Sequence, residues 1–222
     1  MAYDCLIDPV TEAYLRALPS ALPRDLVPLD QYVRAQGFPV SSREAIEFLI
    51  LLCRMLQPQR ILEIGTCVGY SALVMSRLCP NATIDTIERN PAMISDAKAN
   101  LDRYHGEHIT LFEGDAAVIL PNLSGPYDLI YLDAAKGQYP AYLPDCVRLL
   151  REGGVFLVDD VLFRGQVPAG KPDCHRNQTI VNRLDAFIRR LKDHPQLTTT
   201  VLPISDGMTV SVKRSPNHGE KA

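Results

Sequence analysis

Five short apolar segments recur along the chain: RILEI at 60–64, TIDTIE at 83–88, ITLFEG at 109–114, YDLIYLD at 127–133 and GVFLVDD at 154–160. Strands that are apolar on both faces need cover on both faces. Helical stretches separate these ones, so the pattern predicts a parallel sheet packed between two helical layers. YSALVMSRL reads as a helix behind the first strand. Asn90 and Pro91 have the residue types of an N-cap and first helical position, ahead of a stripe of Met93, Ala97 and Leu101. Upstream, Ser41 or Ser42 can cap a helix whose Ile46, Leu49, Ile50 and Cys53 share a face. Downstream, Ile180, Val181, Leu184, Phe187, Ile188 and Leu191 make another helix. LTTTVLPI, a Ser-Asp-Gly turn and MTVSVKR then predict an antiparallel hairpin at the sheet edge. The fold class expected is α/β, with seven strands, mostly parallel, and helices on both faces. It forms one domain over 1–222, with N-terminal helices in 1–57 and the core in 58–222.

Composition supports this frame, because 46% hydrophobic and 22% charged residues suit one compact core. No apolar run is long enough to cross a bilayer, and the start MAYDCLIDPVTEAY has no basic-then-apolar signal pattern, so a cytoplasmic protein with no membrane partner is expected. Cys5, Cys53, Cys67, Cys79, Cys146 and Cys174 have no CxxC spacing and lie mostly in apolar periodic segments, as reduced thiols do. A net charge of −3 gives no global attraction to nucleic acid, so a polyanion would have to meet a local basic patch.

An open α/β sheet binds ligands beyond the carboxyl ends of its strands. Here those ends are acidic: Glu63 lies in the first strand, Glu88 ends the second, Asp115 follows the third, Asp133 the fourth, and Asp159 and Asp160 the fifth. Any one acid can be a cap or a solvated loop residue; acids at five successive strand ends point to a site. The first loop is GTCVG, not the GxGxxG that wraps a pyrophosphate, and Thr66 and Cys67 fill positions a phosphate cradle keeps small. Glu88 is placed to accept hydrogen bonds from a ribose diol, and Asp115 to meet the amine of an adenine. Adenosine without a diphosphate suggests S-adenosylmethionine. The plainer alternative for the GxxxG loop is a tight strand-to-helix turn.

Taken together, ILEIGTCVGYSAL, DTIERNP, GDAAVILP, YDLIYLDAAKGQY and GGVFLVDDVLFRG resemble the cation-dependent class I O-methyltransferases, the family of the catechol and caffeoyl-CoA enzymes, from about residue 40 to the end. The resemblance implies a Rossmann-like fold. It also implies S-adenosylmethionine contacts from Val40, Glu63, Gly65, Tyr70, Ser71, Glu88, Asp115, Ala116 and Asp133, and magnesium or another divalent cation held by Asp133, Asp159 and Asp160. A hard cation wants such oxygen ligands and leaves positions for substrate oxygens. Side chains alternate along an ideal strand, so Asp159 and Asp160 can share an ion only if regular pairing stops near Asp159. The family's usual pair here is Asp-Asn, so Asp160 adds a negative charge; it can also simply cap the next turn. Lys136 matches the family's proposed general base and, with Asp133, is the catalytic expectation, against the alternative of a surface lysine.

Within that family, DAAKGQY followed by DDVLFRGQV looks most like members that methylate 5-hydroxyuridine in bacterial tRNA. The implied reaction forms 5-methoxyuridine at the anticodon wobble position, with the anticodon region as partner and a homodimer as the assembly. A 5-hydroxyl beside a 4-carbonyl offers the same bidentate handle as a catechol, so a catechol or phenylpropanoid acceptor stays open, as does a non-catalytic cofactor-binding or interaction protein. Arg176, Arg183 and Arg190, with Arg189, Lys192, Arg164, Lys171 and His175 nearby, can touch phosphates or form a solvated helix face. Tyr131, Tyr139 and Tyr142 can stack on bases or pack in the core.

Overall fold

The computed structural model describes residues 9–215, so Cys5 lies outside the described residues. Helices α1 (Pro9–Ala17), α2 (Val27–Ala35) and α3 (Arg43–Leu56) come first. There follow β1 (Arg60–Ile64), α4 (Tyr70–Leu78), β2 (Thr83–Glu88), α5 (Pro91–Arg103), β3 (Ile109–Glu113), α6 (Ala116–Ile119), β4 (Tyr127–Leu132), α7 (Tyr139–Leu149) and β5 (Leu150–Val158). The chain closes with α8 (Gln166–Ala169), α9 (Gln178–Lys192), β6 (Leu197–Leu202) and β7 (Met208–Lys213).

These strands form one seven-stranded sheet in the order β3-β2-β1-β4-β5-β7-β6. Pairings from β3 through β5 are parallel, and β5–β7 and β7–β6 are antiparallel. The C-terminal hairpin is therefore at the edge, but its second strand sits against β5 and its first lies outermost. Strand period explains the continuous apolar runs. Ile61, Leu129, Tyr131, Val155 and Leu157 pack on one face with α2, α3 and α4, whereas Leu62, Ile130, Leu132, Phe156 and Val158 pack on the other with α7 and α9.

Caps form at the predicted places. Ser42 accepts a hydrogen bond from Ala45 N at 3.1 Å to start α3, and Asn90 accepts one from Ala92 N at 3.1 Å to start α5. Each leaves the preceding residue, Ser41 or Arg89, at the sheet's carboxyl edge. Among the described residues Cys53, Cys67, Cys79, Cys146 and Cys174 are free thiols, and no helix is long and apolar enough to cross a membrane.

Candidate active site

Strand order reverses at β1, which pairs with β2 on one side and β4 on the other. The loops after β1 and β4 diverge there and open a crevice at the carboxyl edge. A cavity of about 600 Å³ fills it, within the range of small-ligand sites. Its walls include Val40, Gly65, Glu88, Ala116, Asp133, Lys136 and Asp160, together with Ser41, Met93, Tyr142 and Ser205. Glu63, Tyr70, Ser71, Asp115 and Asp159 are not among the lining residues.

The glycine loop is built by backbone constraints. Gly65 has φ +104°, and a Cβ on it would stand 2.0 Å from the Asp133 carbonyl oxygen, so the β1 and β4 exits can cross only over a glycine. Beside this loop Glu88 accepts from Cys67 N, Arg89 N and Asn90 N, each at 2.9 Å. Two carboxylate oxygens offer about four lone-pair sites, so one remains for a ligand hydroxyl in the cavity. Asp115 instead accepts from Ala117 N at 2.9 Å, capping α6, and meets Arg89 at 3.4 Å.

Behind the loop Glu63 is fully buried, accepting from Ser71 Oγ and Thr86 Oγ1 at 2.5 Å each. Burial pushes its carboxyl up to about 7, against the pull of those hydroxyls. Tyr70 donates its hydroxyl to Asp30 Oδ1 at 2.7 Å. These groups brace the wall from behind.

At the opposite end three carboxylates crowd one lysine. β5 ends at Val158, and Asp160 adopts a left-handed φ of +57°, so regular pairing stops where two adjacent acids require it. Lys136 Nζ donates to Asp160 Oδ2 at 2.6 Å. Burial pulls the ammonium's pKa down, but Asp160, with Asp133 and Asp159 adding to it, holds the net value above that of an ordinary lysine. As folded here Lys136 is a cation in an ion pair, not a poised base. Burial and Asp160 push Asp133 up to about 6, and burial with Asp133 and Asp160 lifts Asp159 well above the usual carboxylate range.

A hydroxyl chain joins two of these acids. Ser41 Oγ donates to Asp133 Oδ2 at 2.9 Å and lies 2.8 Å from Tyr131 Oη, while Tyr131 Oη lies 3.1 Å from Asp159 Oδ2. Three contacts share two hydroxyl hydrogens, and burial keeps the phenol protonated. Tyr131 donates to Asp159 Oδ2 and Ser41 to Asp133 Oδ2, and the contact between the two hydroxyl oxygens closes the chain. In the sequence Ser41 is only a candidate helix cap and Tyr131 a base platform or core residue. Their positions, 92 and 28 residues from the acids they serve, carry no local signal. Tyr131 and Tyr139 are buried, Tyr139 donating to the Asp159 carbonyl at 3.2 Å, and of the three tyrosines Tyr142 lines the cavity.

The donor set suits a hard divalent cation by charge and atom type, since one ammonium faces three oxygen-ligand acids. Its orientation does not. Asp159 Oδ1 accepts from Asp160 N at 2.8 Å, Asp160 is paired with Lys136, and among the described residues no group of three His, Cys, Asp or Glu side chains is arranged around one point. Holding a cation would require Asp160 to turn from Lys136.

Comparison with known proteins agrees with this geometry. Residues 30–214 match the O-methyltransferase family. A catechol O-methyltransferase of Mycobacterium tuberculosis is 32% identical over 166 residues, 73% of either chain. The SAH-bound structure of a Podospora anserina methyltransferase superposes with a TM-score of 0.83 at 31% identity, covering 93% of this chain and 94% of that one. The O-methyltransferase TomG of Streptomyces achromogenes, involved in tomaymycin synthesis and solved in complex with SAM, gives 0.79 at 28% identity over 93% and 97%.

Proposed function

The chain belongs to the O-methyltransferase family, and we propose that it transfers a methyl group from S-adenosylmethionine to the 5-hydroxyl of 5-hydroxyuridine at the tRNA wobble position, forming 5-methoxyuridine. The observation that supports this is one continuous cavity with Glu88 at one end and the Lys136–Asp160 pair at the other. Bound S-adenosylmethionine supplies the methyl as an activated sulfonium. Glu88 accepts from one ribose hydroxyl with its remaining lone pair, Gly65 and Ala116 let the adenosine lie close to the backbone, and Asp133 faces the methionine. The proposal includes a homodimer acting in the cytoplasm.

At the other end Asp133, Asp159 and Asp160 would hold magnesium or a similar divalent cation once Asp160 turns from Lys136, and the cation would supply the charge that acidifies the acceptor hydroxyl. Lys136 Nζ takes the hydroxyl proton as the neutral amine, which requires that Asp160 first be released from it. The walls fix the acceptor oxygen against the methyl carbon, which converts an encounter into an intramolecular displacement.

A catechol acceptor is the second reading, favoured by the catechol O-methyltransferase relative. Incubation with labelled S-adenosylmethionine, with and without magnesium, on tRNA bearing 5-hydroxyuridine and on catechols tests both. Magnesium-dependent transfer to tRNA supports the proposal; transfer to catechols alone rejects it. Cofactor binding with no turnover on any acceptor returns the protein to a non-catalytic role.

A further inference from the structure

We propose that the cleft between Arg34, Arg43 and Phe38 is a subsite for a phosphate of the acceptor, next along the nucleotide strand from the methyl-transfer cavity. The inference rests on the nucleotide acceptor proposed above and deepens it. A second cavity, of about 520 Å³, lies between Arg16, Arg34, Phe38, Val40, Ser42 and Arg43. Val40 and Ser42 also line the main cavity, so the two spaces meet along that segment. Three of the six lining residues are arginines, and among the described residues Arg43 is the one of them with no carboxylate partner.

The three guanidinium groups are not equivalent. Arg16 is ion-paired to Glu12 and, at 2.7 Å, to Glu44. Arg34 is held in place, with Nε on Asp30 at 2.7 Å, Nη2 on the Ser41 carbonyl at 3.2 Å and its carbon 5.8 Å above the Tyr70 ring. Arg43 sends only Nη1 to a carbonyl, that of Arg16 at 3.2 Å, and among the described residues no carboxylate pairs with it. A largely unused guanidinium fork beside a pre-oriented one suits a phosphate, which accepts two parallel N–H bonds from each fork it meets. A catechol carries no such group.

The surface continues in the same chemistry. Phe38 also borders a groove of about 340 Å³ containing Tyr32 and Tyr104. The Tyr32 and Phe38 rings stand 6.2 Å apart, and the Arg103 guanidinium lies 5.5 Å from the Tyr104 ring centre. Arginines followed by aromatic faces are how single-stranded nucleotides are held, phosphate on cation and base on ring. Val40 and Ser42 link the first space to the second, and Phe38 links the second to the third.

The test has two arms. One measures methyl transfer to 5-hydroxyuridine and to its 5′- and 3′-monophosphates; the other measures binding of an unmodified five-residue oligouridylate by fluorescence anisotropy. Both use wild type, Arg43→Gln, Arg43→Lys and Arg54→Gln, the last removing an exposed arginine in the last turn of α3 that lines none of these spaces. Loss of a charge-assisted hydrogen bond predicts that Arg43→Gln lowers the KM preference for a monophosphate over the nucleoside about tenfold and weakens oligouridylate binding about tenfold. Arg43→Lys loses the fork but keeps the charge and falls between; it also serves if the glutamine variant does not fold. Arg54→Gln keeps wild-type values. Unchanged oligouridylate affinity in Arg43→Gln, or an equal loss in Arg54→Gln, overturns the subsite. Transfer to catechol and to no form of 5-hydroxyuridine overturns the acceptor reading instead, and the subsite is then decided by the oligouridylate arm alone.

Discussion

At the β1–β2 end of the cavity Glu88 alone receives three backbone N–H groups, whereas at the β4–β5 end Asp133, Asp159 and Asp160 share two hydroxyls, one backbone N–H and one ammonium. Backbone donors held by a turn cost no reorganisation when a ligand arrives, so the first end is an acceptor already formed. The second is short of positive charge and meets the shortage with one lysine. The same strand-end position thus yields a finished cofactor contact in one place and an unfinished charge balance in the other.

The largest test of this contrast is Asp159→Ala. Removing the acid at the centre of the crowded end should lower methyl transfer about a hundredfold to a thousandfold, several kcal/mol of barrier. Labelled-methyl assays with and without magnesium measure it, and near-normal, magnesium-independent turnover would break the comparison. Gly65→Ala strikes where the two ends touch. A Cβ 2.0 Å from the Asp133 carbonyl must push β1 and β4 exits apart, and unfolding in denaturant should show a loss of about 3 kcal/mol. A variant of wild-type stability would mean that the ends move independently.

Glu63→Gln sharpens the account of the wall. The folded carboxyl titrates at about 7, above its ordinary 4.5, so its protonated form is the one the fold favours. The stability this confers is full below about 4.5 and is lost as pH rises through about 7. Glutamine stays neutral, so the variant should match wild type near pH 5 and exceed it by about 2 kcal/mol at pH 8, the gain being trimmed by weaker hydrogen bonds to Ser71 and Thr86. Equal pH profiles would show that the folded carboxyl titrates where the unfolded one does, and a wild type that gains on the variant as pH rises would show that Glu63 is stabilised as an anion. The smallest effect is expected from Glu88→Gln, which turns an amide donor toward backbone N–H groups and removes charge. SAH binding by calorimetry should weaken about tenfold; unchanged binding would remove Glu88 from the cofactor contact.

Much of the frame was legible before any coordinates. The five apolar strands, the Ser42 and Asn90 caps and the stop after Val158 all arise from neighbouring residues, whose periodicity and capping chemistry act over one or two turns. The acids at strand ends were legible as a group. Their separate fates were not: Glu88 and Asp160 line the cavity, while Glu63 and Asp159 stand behind its wall and Asp115 caps a helix.

What the sequence by itself determined is the set of elements and the residues at their ends, because strand and helix periods and caps are local properties. Only the tertiary structure decided that Ser41, Tyr131 and Asp159 form one proton-sharing chain, that Lys136 meets Asp160 as an ion pair, and that Arg34 and Arg43 face a space continuous with the cavity. Those contacts depend on β1 lying between β2 and β4 and on the packing of the N-terminal helices over that junction. The physical reason is distance along the chain. A hydroxyl 90 residues from its partner is placed by sheet order and core packing, and no local pattern records that placement.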